Sequence, residues 1–191
     1  MPSYQSPIKI NKNNNIKIHQ KIKTSGCNHG SCYNEHKKIF EVNDNIIIKI
    51  NNIKYKLIEY HFHICGEHNI NDKIYDSEVH FVFIEVTNTY DHDKYKNHNI
   101  CGGEIVENVN TLVIGRMISN KSSLKNLKKL NVKIPSSYYE YDGSLTAGTY
   151  APVRWIVGEH DIKLNLEEIK LIAKSSRKLQ PLDGRIILYS K

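Results

Sequence analysis

No apolar run in this 191-residue chain is long enough to cross a membrane. Ile46-Ile47-Ile48 is broken at once by Lys49, and the opening Met-Pro-Ser-Tyr-Gln-Ser-Pro lacks the apolar core of a secretory signal. The expectation is a protein with neither span nor signal peptide, cytoplasmic, with a virion as the alternative setting. Cysteine is sparse too. Four of them (Cys27, Cys32, Cys65 and Cys101) make no dense disulfide framework at this length, so reduced thiols are the default. Also missing are internal repeats, a domain linker, and any long basic run interleaved with aromatics. No nucleic-acid partner is therefore expected, and residues 1–191 read as a single domain with one core.

What the chain does carry is a modest excess of positive charge: 27 Lys and Arg against 20 Asp and Glu, a net +7. A polyanion such as a sulfated glycosaminoglycan or an anionic membrane surface would fit that charge. Lysine scattered over the surface by an AT-rich genome is the simpler account, and it also covers the abundance of Asn and Ile. An AT-rich protist or a large DNA virus would each supply such a composition.

Strand signals dominate the rest. Residues 1–11 read as an extended lead-in, because Pro2 and Pro7 exclude helix there. Residues 12–36 are polar and read as surface loop. From 39 to 63 β-branched and aromatic runs alternate with turns at Asn43-Asp44-Asn45 and Asn51-Asn52. Further strands are expected at 78–86, 111–118, 153–157 and 185–189, with a polar loop over 87–110. Two helices are expected. Ser122 or Ser123 would cap one carrying Leu124, Leu127 and Leu130 on a single face, and Asn165 with Glu168 would open another whose buried stripe is Leu166, Ile169 and Ile172.

The chemistry concentrates in Glu59-Tyr-His-Phe-His63 and Glu78-Val-His-Phe-Val82. Alternate side chains of a strand share a face, so Glu59, His61 and His63 point one way, and Glu78 and His80 do the same on theirs. If those strands are neighbours, three imidazoles converge with carboxylates behind them. Three neutral imidazoles are a typical catalytic zinc set that leaves one tetrahedral position for water. Taken singly, each histidine is more often a hydrogen-bonded member of a sheet. A second cluster, Cys27, His29, Cys32 and His36, matches no standard zinc spacing; a local Cys27–Cys32 disulfide or plain thiols compete with it.

Several blocks in order then resemble the α-class carbonic anhydrases. They are Gln5-Ser-Pro-Ile8, Tyr60-His-Phe-His63, Gly66-Glu-His68, Ser77-Glu-Val-His-Phe-Val82, Tyr141-Asp-Gly-Ser-Leu-Thr146, Pro152-Val-Arg-Trp-Ile-Val157, and Arg177 with Gln180-Pro-Leu-Asp-Gly-Arg185. The resemblance implies a mainly β fold, a large twisted and mostly antiparallel sheet with a few peripheral helices. It also implies zinc-dependent, reversible hydration of CO₂ to bicarbonate and a proton by way of zinc-bound hydroxide. By the same resemblance His61, His63 and His80 are the zinc ligands, with Glu59 and Glu78 accepting the ligands' second N–H groups. Thr146 orients the hydroxide and Glu67 holds Thr146. Val82, Val113, Leu145, Val153 and Trp155 form the apolar wall for CO₂, and His68, Glu78 and Tyr141 form a buried supporting cluster.

The chain departs from the family in five places. The proton-shuttle position falls near Asn45, an amide that carries no protons at neutral pH. Glu59 stands where Gln is usual. Ala147-Gly148-Thr149 replaces Thr-Pro-Pro, which frees the backbone behind Thr146. Finally, an aromatic-rich N-terminal lobe and part of the stretch between the Asn165 helix and Gln180 are missing. These departures and the basic charge support an alternative, a non-catalytic carbonic-anhydrase-like protein that binds an anionic partner such as a glycosaminoglycan. The intact histidine set argues for the enzyme.

Overall fold

The computed structural model describes residues 4–86, 110–120, 126–148 and 150–191. Among them are fifteen strands: β1 (Lys9–Ile10), β2 (Asn15–Ile18), β3 (Ile22–Ser25), β4 (Cys32–Asn34), β5 (Ile39–Glu41), β6 (Ile47–Ile50), β7 (Ile53–Ile64), β8 (Asn69–Ile70), β9 (Ser77–Glu85), β10 (Thr111–Asn120), β11 (Tyr138–Ser144), β12 (Pro152–Gly158), β13 (Ile162–Leu164), β14 (Lys174–Ser175) and β15 (Ile187–Ser190). Thirteen form one sheet whose spine runs β2-β15-β11-β12-β10-β9-β7-β5-β4. The long strands pair antiparallel, except that β10 and β12 run parallel. The expected mainly β fold is therefore present, as a mixed sheet dominated by antiparallel pairs.

The centre of that sheet is β9 between β7 and β10. Ser77 to Ile84 are all buried, as a strand covered on both faces must be. One face packs Tyr60, Phe62, Val79, Phe81, Phe83, Leu112 and Ile114 into a core closed by helix α1 (Leu166–Ile172). Each such side chain contributes about 1.5–3 kcal/mol of burial. The other face carries Val82, Val113, Met117, Tyr139, Tyr141 and Trp155.

A bulge in β7 decides which residues reach which face. Leu57 lies opposite Phe83 and Glu59 opposite Val82, so Ile58 is the extra residue. Upstream, Tyr55 and Leu57 point into the first core; downstream it is Tyr60 and Phe62. One inserted residue has exchanged odd for even, and Glu59, His61 and His63 are delivered to the second face.

Three expectations change. Residues 12–36 hold the strands β2, β3 and β4 rather than loop alone; Asn-Ile-Lys-Ile and Ile-Lys-Thr-Ser alternate, but at a sheet margin with little burial. Of the Leu124–Leu127–Leu130 helix, the described part is a single 3₁₀ turn at Leu127–Lys129, opened by the Asn126 side chain accepting from the Lys128 N–H; Ser122, Ser123 and Leu124 lie outside the described residues, as does nearly all of the 87–110 loop. The reduced-thiol default also fails in part. Cys32 is disulfide-bonded while Cys27 and Cys65 are free, so no Cys27–Cys32 bridge exists. By contrast α1 forms as expected, its Asn165 cap accepting from the Glu167 N–H at 3.0 Å and its Leu166 and Ile169 buried. Among the described residues no helix is long and apolar enough to cross a membrane.

Candidate metal centre

The register of β7 against β9 places His61 directly across from His80 and His63 across from Glu78. The three imidazoles consequently meet, with ring centroids 5.1 Å (His61–His63), 5.3 Å (His61–His80) and 4.6 Å (His63–His80) apart. One nitrogen from each ring lies within 4.8 Å of the others.

Two of the rings have their remaining nitrogen hydrogen-bonded, and the third lies beside a carboxylate. His61 Nδ1 is 3.1 Å from Glu59 Oε1, and His63 Nδ1 is 3.0 Å from the Ser175 carbonyl on β14. His80 Nε2 lies 3.0 Å from Glu78 Oε1, at an angle that falls short of a good hydrogen bond. That leaves Nε2 of His61 and His63 and Nδ1 of His80 facing one another. The buried His63 Nε2 has no hydrogen-bond partner, the kind of orphaned atom that a bound cation satisfies. Burial pushes the His61 imidazolium well below its usual range, helped by Lys174 and by His80. Burial, then the neighbouring His80 and His61, lowers His63 to about 2. Both rings are neutral at ordinary pH, the form in which imidazole ligates metal. The donor set suits zinc.

Behind the rings lies a dry polar cluster. Burial alone would raise the Glu78 carboxyl, but His68 and His80 outweigh that and hold it well below the usual range. Glu78 accepts from the His68 backbone N–H and lies 2.8 Å from His68 Nδ1; His68 Nε2 is 2.6 Å from the Tyr141 hydroxyl, which donates to Ser6 Oγ. His68 is thus a support for the floor of the site. Gly115 on β10 makes room for this cluster: a Cβ there would sit 2.6 Å from Glu78 Oε1.

A cavity of about 90 Å³ opens over the rings, lined by Glu59, His61, His80, Val82, Val113, Leu145, Thr146, Ala147, Trp155 and Lys174. Four of the five expected wall residues are there; Val153 is instead buried in the core beneath, beside Trp155. Asn45 is exposed and does not line the cavity. Glu67 is buried, its Oε1 accepting from the Arg177 N–H at 2.7 Å, while its Oε2 has no hydrogen-bond partner and lies 3.8 Å from His80 Nε2. Thr146 reaches the cavity but makes no hydrogen bond to Glu67 or to any other described residue.

The family model for eukaryotic-type carbonic anhydrase matches residues 2–191. The chain belongs to that family. Two curated carbonic anhydrases are similar to it: one from Pectobacterium carotovorum, 24% identical over 73% of this chain and 60% of its own length, and one from Pectobacterium atrosepticum, 25% identical over 82% and 67%. The chain therefore spans only about three fifths to two thirds of those relatives. A solved hyperthermostable carbonic anhydrase from a hydrothermal vent chimney superposes with a TM-score of 0.72 at 26% identity, covering 100% of this chain and 89% of that one.

Within this carbonic anhydrase fold, two contributors went unseen in the sequence. Ser175 acts through its backbone carbonyl, which no side-chain pattern announces. Lys174 reads as one more surface lysine, and only the pairing of β14 with β7 at His63 brings it to the cavity. The second metal cluster does not assemble. Cys32 is tied up in its disulfide, and the exposed His29 pairs with Asp44 at 3.2 Å. Among the described residues, Cys27, His29, Cys32 and His36 form no converging group.

Proposed function

We propose that this chain catalyses the reversible hydration of CO₂ to bicarbonate and a proton on a zinc ion held by His61, His63 and His80. The observation that carries the reading is the convergence of three imidazoles under an apolar-walled cavity, with the outer nitrogens of His61 and His63 hydrogen-bonded and that of His80 beside Glu78. Bound zinc supplies a Lewis acid that makes water nucleophilic near neutral pH. The chain's own part is positional. Glu59, the Ser175 carbonyl and Glu78 accept from the outer N–H groups and so select the tautomer that aims a lone pair inward. Val82, Val113, Leu145 and Trp155 offer CO₂ a surface without competing hydrogen bonds. Thr146, at the cavity edge, is assigned the orienting hydroxyl, and Glu67 Oε2, which has no hydrogen bond, is the acceptor to which it would donate.

Among the described residues no histidine besides the ligands lines the cavity, so proton release is expected to depend on small solutes. Imidazole buffer should raise turnover in a saturable way; a rate independent of buffer counts against this. The reading itself is tested by stopped-flow CO₂ hydration measured beside zinc content. Stoichiometric zinc without hydration would sink it and favour a non-catalytic binding role for the scaffold.

A further inference from the structure

Lys174 is the lysine that lines the cavity, and it is not paired as several other lysines are. Lys9 pairs with Asp72, Lys12 with Glu159, Lys163 with Asp161 and Lys170 with Glu167, and Lys38 donates to the Ala173 carbonyl. Lys174 is partly buried and lines the cavity, and its ammonium makes no hydrogen bond or ion pair within 4.0 Å among the described residues. Its nearest acids are otherwise engaged: Glu59 with His61, and Glu67 with the Arg177 N–H and His63 Nδ1. A partly desolvated ammonium with no partner is costly, and an anion entering the same space offsets that cost.

The placement matters as much as the charge. β14 lies against β7 on the side away from β9, whereas Val113 and Trp155 stand on β10 and β12 beyond β9. Along the sheet the order is lysine, histidines, apolar wall. Ala147 adds no polar side chain, so the cavity's spare donors are the Lys174 ammonium and the Thr146 hydroxyl. About 90 Å³ is roughly the room of three waters, enough for an anion of four heavy atoms.

We propose that Lys174 is the anion-holding group of this cavity, binding a small monovalent oxyanion, which in the reaction proposed above is bicarbonate. That identification of the anion rests on the hydration reading; the charge-dependent site does not. An apolar wall for CO₂ and a cationic wall for its hydrated product would then flank one set of histidines.

The test is binding of bicarbonate, and separately of nitrate, to the full chain with and without zinc, followed by titration calorimetry. Lys174→Met should weaken both by roughly tenfold to a hundredfold, the range of one charge-assisted hydrogen bond. Lys174→Arg should keep affinity within a few-fold. Should Lys174→Met not fold, Lys174→Gln takes its place. Equal affinity in wild type and the uncharged variant overturns the proposal, as does a wild-type protein that binds neither anion. Lysine-dependent binding in a chain without hydration activity supports this site while removing the hydration reading. Normal hydration with lysine-independent binding does the reverse.

Discussion

The floor of the site and the segment over it are built to different standards. On the floor, β7 and β9 hold three imidazoles in strict register, the outer nitrogens of His61 and His63 are hydrogen-bonded, that of His80 lies 3.0 Å from Glu78, and Glu78 is held by His68 in the buried interior. Over it, residues 145–151 connect β11 to β12. The Leu145 N–H donates to the Ala151 carbonyl, Gly148 and Tyr150 take positive φ, and Arg177 stacks over Tyr150. Yet among the described residues Thr146 has no side-chain hydrogen bond, and Glu67 Oε2 has none either, lying 3.8 Å from His80 Nε2. Register in a covered sheet is cooperative and passes geometry from strand to strand. A connecting loop has only its own few contacts to do so.

The largest effect should come from breaking the floor. His63→Ala removes a ligand that nothing nearby replaces, so zinc content by metal analysis should fall from one per chain to near none, and hydration with it. Retained stoichiometric zinc would place the metal elsewhere. A second perturbation spares the ligands. Gly115→Ala puts a methyl against Glu78 and should cost about 1–3 kcal/mol in urea unfolding. By displacing the acceptor of His80 it should also weaken zinc about tenfold to a hundredfold. An unchanged zinc affinity would show that the supporting cluster is separable from the metal.

The loop should answer in the opposite way. Since the Thr146 hydroxyl holds no structural partner, Thr146→Val should shift stability by no more than about 0.5 kcal/mol. If it orients the attacking water, hydration should fall roughly 100-fold. Loss of stability with little loss of rate would exchange those roles and make Thr146 a structural residue.

The same contrast explains what could be read from residues alone. The two histidine strands were legible because their alternation of polar and apolar residues fits a strand and no helix, and the Asn165 helix because its cap and stripe are local. The bulge at Ile58 was hidden, since a run of Lys-Leu-Ile-Glu carries no mark of which residue is extra. Strands as short as β13 and β14 have too few residues for any period, and with β14 went the Ser175 carbonyl and Lys174. The leucines at 124, 127 and 130 have helical spacing, but the described residues from 126 make only one 3₁₀ turn before Pro135. Asn45, assigned to the shuttle position by resemblance, is exposed outside the cavity, with its carbonyl against Gly26.

The finest test of the comparison lies where floor meets rim, at Glu59. Burial raises its carboxyl above the usual range, opposed by Lys174 and Lys37. When ionised, it accepts from His61 Nδ1 and makes that imidazole the better donor, which leaves metal-bound water less acidic. Glu59→Gln should therefore move the midpoint of the hydration pH profile downward. Because Lys174 offsets part of the carboxylate's field, the shift should be less than about one unit. The sign also varies across the profile: below the carboxyl's own titration Glu59 is neutral and behaves as glutamine, so wild type and variant should converge at the acid end and separate above it. Coincident profiles throughout would mean that the carboxylate contributes only a hydrogen bond, as the backbone carbonyl of Ser175 does for His63.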